Sequence, residues 1–73
     1  MTARDPRKDP RPGDVLRSGD GFGSFTIHVR GRDYGSKEVL YQEDGWGEML
    51  RCYIDDWRED AENDVVVRRA EDR

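Results

Sequence analysis

The chain reads as a small, mainly β domain of five strands, with one short helical turn before the last of them. Three features lead there. In "SFTIHVR", Phe25, Ile27 and Val29 alternate with Thr26, His28 and Arg30, the period-two pattern of a half-buried strand. The runs "EVLYQE" and "EMLRCYI" are separated by "DGWG". Asp-Gly between two such runs is a strong hairpin signal, because the tight primed turns require positive φ. The alternation then stops at Ile54, where "DDWREDAEN" takes over before a final strand-like "VVVRR".

Taken in order, residues 1–12 hold Pro6, Pro10 and Pro12 among alternating charges and offer little to bury, which predicts a disordered, Pro-rich charged tail. A single domain over 13–70 and a short tail over 71–73 complete the expected organisation. "PGDVLRSG" predicts a turn and a short strand over 14–17 with Val15 or Leu16 facing inward, and "GDGFGS" a flexible connection. The strand carrying Phe25, Ile27 and Val29 follows, then the loop "GRDYGSK" and the hairpin. With Asp44 and Gly45 as the turn residues, Glu43 faces Trp46, Leu40 faces Met49 and Val39 faces Leu50. Leu50, Cys52 and Ile54 then form the more apolar row. Beyond it, Asp56 with Glu59 three residues on resembles a capping box. Trp57 and Ala61, four apart, share a helix face. Asn63 can end the turn in a left-handed conformation.

Four strands, a short helical turn and a fifth strand make the element order of an SH3-like five-stranded barrel. The alternative is α+β, a four-stranded sheet carrying one longer helix over 55–62. The opening "DPRPGDVL" and the Trp-bearing turn before the last strand resemble small SH3-like barrel proteins encoded by phages and mobile elements of GC-rich bacteria. The resemblance covers about residues 9–69; it implies the barrel fold and no particular activity. Abundant Arg, Asp and Gly with scarce Lys agree with a GC-rich genome.

Composition bounds the function classes. At 73 residues the chain lies near the lower limit for a single apolar core. Charged residues, at 41%, outnumber the 33% that are hydrophobic, but the apolar ones are clustered, so a modestly stable fold is predicted. One cysteine, Cys52, allows no intrachain disulfide and no Cys-based metal site, which points to a reducing compartment. No apolar run reaches the roughly 18 residues of a membrane span, and "MTARDPRKDPRPG" lacks the apolar segment of a signal peptide. A cytoplasmic protein without membrane contact is the expectation. The net charge of −4 conceals a strong asymmetry: residues 38–64 hold ten carboxylates against Arg51 and Arg58.

Catalytic, metal and cofactor sites are not expected. Nucleophilic catalysis needs a base oriented on the nucleophile, yet His28 falls on the wet face of one strand and Cys52 on the core face of another. "GDGFGS" precedes a strand and lacks the Gly-Lys-Ser that follows a phosphate-cradling loop. The acidic run lacks the alternating Asp and central Gly of a calcium loop. A non-enzymatic protein–protein interaction module is therefore predicted, its acidic surface docking on a partner with a basic surface. Such a body could serve as a phage or mobile-element inhibitor of nucleic-acid-binding machinery; compact phage inhibitors, anti-CRISPR proteins among them, resemble it in size and charge. The expected partner-binding residues are Trp46, Asp55, Asp56, Glu59, Asp60 and Glu62, with Trp57 structural and Tyr34 a lesser surface candidate. The rival is a small nucleic-acid-binding adaptor using Arg4, Arg7, Lys8 and Arg11 of the tail with Arg30 and Arg32 of the strand. Against it stands the net −6 of residues 14–73, which repels phosphate. A free sheet edge leaves the oligomeric state open.

Overall fold

A computed structural model describes residues 3–19, 24–45 and 47–72. Its elements are β1 (Val15–Ser18), β2 (Phe25–Asp33), β3 (Glu38–Glu43), β4 (Leu50–Tyr53), α1 (Ile54–Asp60) and β5 (Val65–Arg68). The strands form one antiparallel sheet in the order β4-β3-β2-β1-β5. The mainly β expectation and the five-strand, one-helix order hold; the sheet is open, with β4 and β5 as its edges.

One face of the sheet and α1 enclose the core. Leu16, Ile27, Val29 and Val39 from three strands meet Ile54, Trp57 and Ala61, with Tyr41 and Cys52 packed alongside. Burying each large side chain contributes about 1.5–3 kcal/mol, so a handful of residues carries most of the stability. Trp57 and Ala61 do share the buried face of the helical segment. The β2 alternation also holds for Ile27 and Val29, whereas Phe25 at the strand start is 38% exposed. β2 is longer than its sequence indicates: Val29 pairs with Tyr41 and Gly31 with Leu40, so Arg30 is the extra residue of a bulge. Past it the face parity changes, and Arg32 pairs with buried Val39.

Three local expectations fail. The β3–β4 register is offset by two residues from the tight-turn reading: Val39 pairs with Cys52, Leu40 with Arg51 and Tyr41 with Leu50. The tight register would have set Glu48 against Tyr41 on the core side. The longer connection instead lines apolar partners up inside, with the Gln42 side-chain amide donating to the Gly47 carbonyl at 3.3 Å. The capping box is also absent. The helix begins directly off β4 with Tyr53 as N-cap and no side-chain cap bond, since burial of Ile54 fixes the start. Among the described residues, Lys37 is the only non-glycine with positive φ, so Asn63 is not left-handed and the helix ends at Ala61 in ordinary right-handed geometry.

The largest correction concerns the N-terminus. Residues 3–12, predicted as a disordered tail, are a strap packed on the domain, with Pro6 and Pro10 buried. The Trp57 indole N–H donates to the Pro6 carbonyl at 3.0 Å and Arg58 Nε to the Lys8 carbonyl at 2.8 Å. Arg4 donates from both terminal guanidinium nitrogens to the Asp14 carboxylate at 2.6 Å and reaches Glu71 at 3.0 Å. Asp14 also accepts the Arg11 and Ala70 amides, each at 2.7 Å. Gly13, at φ +102, makes the turn that aims Asp14 inward. Burial alone would raise the Asp14 carboxyl; the Arg4 guanidinium and the two amides outweigh it and hold the group below its usual range. The same contacts raise Arg4.

Candidate functional site: an aromatic and acidic pocket beside the helix

The core face does not fill the sheet to its end. Where β1 and β2 begin their pairing, at Ser18 and Phe25, a pocket of about 320 Å³ opens between the sheet and α1. Register dictates its walls. Ile27 pairs with Glu43, so Glu43 shares the inner face with Tyr41 two residues earlier. Tyr41 and Trp57 pack edge to face with ring centroids 5.5 Å apart, and Phe25 stands at the mouth. Asp60 follows Trp57 by three residues, bringing it to the same side of the helix. The chain then turns, with the Asp64 amide on the Ala61 carbonyl at 3.0 Å, and sets Asp64 into the wall.

Three aromatic rings and three carboxylates thus face one space. Among the described residues, none of Glu43, Asp60 and Asp64 is in an ion pair. Asp64 is only 7% exposed. Burial raises its carboxyl above the usual range; the Ser18 hydroxyl and the Arg7 charge offset part of this, and Asp60 adds repulsion. Arg7 itself donates to the Asp64 backbone carbonyl at 3.4 Å while its side chain is engaged by Asp5 at 3.0 Å. Cys52 lies on the pocket floor, its thiol pushed up to about 11 by burial and by Asp60, Asp56 and Glu38. Burial, with Cys52, Glu43 and Asp60, likewise raises Tyr41. Both groups are therefore neutral at physiological pH.

His28, the single histidine, is on the opposite face of the sheet, paired across the strands with Gln42 and 3.5 Å from Asp44. Among the described residues, no group of three His, Cys, Asp or Glu side chains is arranged to hold a metal ion, and no helix is long and apolar enough to cross a membrane.

The sequence-predicted acidic residues divide into two sets. Asp55, Asp56, Glu59 and Glu62 are exposed along α1 and the turn after it, while Asp60, also exposed, reaches the pocket rim. Trp46 lies outside the described residues. Tyr34 is exposed with the Arg32 guanidinium 4.7 Å above its ring. Of the cations offered for nucleic acid, Arg4, Arg7, Arg11 and Arg32 are drawn into ion pairs with Asp14, Asp5 and Asp9. Arg30 is exposed on the outer face, bonded to Gln42, and Lys8 is exposed on the strap.

Glu43, Asp64, Phe25 and Tyr41 were not among the sequence candidates. Glu43 carried a readable signal: it is in phase with Val39 and Tyr41, so a strand with an inner row must turn that carboxylate inward at its end. The chain matches no protein-family model, no curated protein and no solved structure. Its own residues therefore carry the functional reading.

Proposed function

We propose that this chain is a non-enzymatic protein–protein interaction module that docks its acidic helix face on a basic surface of a partner protein. The observation that carries this is the placement of Asp55, Asp56, Glu59, Asp60 and Glu62. All five are exposed on one short helix and its following turn, with Arg58 the sole cation among them. Arg58 is partly engaged by Asp55 at 3.7 Å and by the Lys8 carbonyl. Such a one-signed surface speeds encounter with a basic groove and sets the docking register. The non-enzymatic reading is supported by a protonated Cys52 thiol and by a histidine on the other face.

Pairing of β5 with β1, and the run β1 to β4 as a meander, support an SH3-like barrel as the underlying fold. A small cytoplasmic body of this charge is suited to occupying a nucleic-acid-binding groove, the role of an inhibitor carried by a phage or mobile element. Direct nucleic-acid binding is disfavoured by the strap, whose arginines are spent on internal pairs.

The test uses the triple variant Asp56→Lys, Glu59→Lys, Glu62→Lys, which leaves the pocket walls intact. Capture from nuclease-treated lysate should retain basic proteins on the wild-type chain and lose them from the variant, with the circular dichroism of the two unchanged. Equal capture by both, or capture that vanishes with nuclease treatment, overturns the proposal.

A further inference from the structure

We infer that the pocket between Phe25, Tyr41, Trp57 and the carboxylates of Glu43, Asp60 and Asp64 receives one cationic side chain, a lysine or an arginine, from the docked partner. The inference deepens the docking proposal and rests on it. A neutral occupant would leave three carboxylates, Asp64 buried among them, without counter-charge, and an anion would be repelled. A dispersed organic cation suits the walls better than a metal ion: the acidic groups are spread around the pocket and, among the described residues, do not converge into a metal-binding group. Aromatic faces attract ammonium and guanidinium groups, and the attraction grows as the site is desolvated. Ile27 and Ala61 supply apolar wall for the methylene stem of such a side chain. At about 320 Å³, the space is at the small end of ligand sites, large enough for one side chain and its solvent.

Asp64 is the second, independent pointer. The residue is 7% exposed, it lines the pocket, its carboxylate is met by the Ser18 hydroxyl, and no cation among the described residues pairs with it. Nearby Arg7 is turned away to Asp5 and to a backbone carbonyl. A carboxylate kept this way costs the fold stability and gains a counter-charge only when a cation enters. Entry would also draw its raised proton affinity back down.

The experiment titrates the full isotope-labelled chain with butylammonium and with butylguanidinium, using butan-1-ol as the uncharged probe, and follows the Trp57 indole N–H and the Tyr41 and Ile27 resonances. Saturable shifts with either cation and none with butanol are expected. Binding should weaken about tenfold or more in Glu43→Gln and Asp64→Asn, and stay within about twofold in the triple helix variant at physiological salt. Phe25→Ala at the partly exposed mouth is a further variant should a polar one fail to fold. Absence of saturation, an equal response to butanol, or shifts unchanged in the Glu43 and Asp64 variants overturn the inference.

Lysate capture separates the two proposals. Capture lost in the helix triple but intact in Asp64→Asn, with no probe binding, sinks the pocket and leaves the docking surface standing. Probe binding beside normal capture by the helix triple sinks the docking surface and, with it, the partner as the source of the side chain.

Discussion

The clamp around Asp14 and the pocket around Asp64 each bury an aspartate, and their surroundings treat the two carboxylates in opposite ways. Asp14 is met by a guanidinium and two amides, and its proton affinity falls. Asp64 is met by aromatic walls, the Ser18 hydroxyl and a neighbouring acid, and its proton affinity rises. Desolvation is the first cause in both; the partners decide the sign. A buried charge whose every lone pair is answered belongs to the architecture, and one left without a cation beside a cavity is available for a ligand.

The difference can be broken most forcefully at the clamp. Asp14→Ala leaves two amides unanswered and the Arg4 guanidinium with only Glu71 and the Asp9 carbonyl, a loss of about 3 kcal/mol or more. That is comparable to the whole stability of so small a domain, so urea titration should find the variant largely unfolded in buffer. Deleting residues 1–12 comes next. It removes the partner of the Trp57 indole and of Asp14, and the urea midpoint should fall by the equivalent of about 2 kcal/mol or more. A true tail would leave the midpoint where it is.

The acid limb sharpens the contrast. Asp14 has a folded pKa below its unfolded value near 3.9. Its contribution is therefore complete above that value and is lost as pH falls through the folded one. Asp64 has a folded pKa above its unfolded value, so its cost is absent in acid and sets in as pH rises from the unfolded toward the folded value. Asp64→Asn should accordingly match or exceed wild type at pH 7, by up to about 1 kcal/mol, while losing the cation response. A clear loss of stability at pH 7 would place Asp64 with Asp14 as structure. Smallest is Glu38→Gln, which removes an exposed 3.9 Å contact with Arg51 and should shift the urea midpoint by less than about 0.5 kcal/mol.

Much of the fold was legible because it rests on local pattern. Alternation in β2, the run of β3 and the four-residue spacing of Trp57 and Ala61 each state a face, and the structure uses those faces. What escaped depends on distant partners. The strap looked unstructured because two prolines and an arginine show no amphipathic period, yet Pro6, Pro10 and Arg4 are held by Trp57, the sheet and Asp14. The hairpin register failed because Asp-Gly advertises a turn without saying how many residues follow it. The acidic helix face was readable as charge. The pocket was not, since its walls come from β1, β2, β3, β4, α1 and the turn after the helix, and only the register joins them.

The Asp14 clamp also governs when this chain can fold. Its ligands come from Arg4, Arg11 and Ala70, and β1 obtains its second neighbour only from Val65–Arg68. Contacts spanning 56 and 67 residues close the structure, which makes folding slow for so short a chain. Until the segment around Val65–Arg68 and Ala70 arrives, the first strand stays half paired and the Asp14 carboxylate lacks one of its two amides.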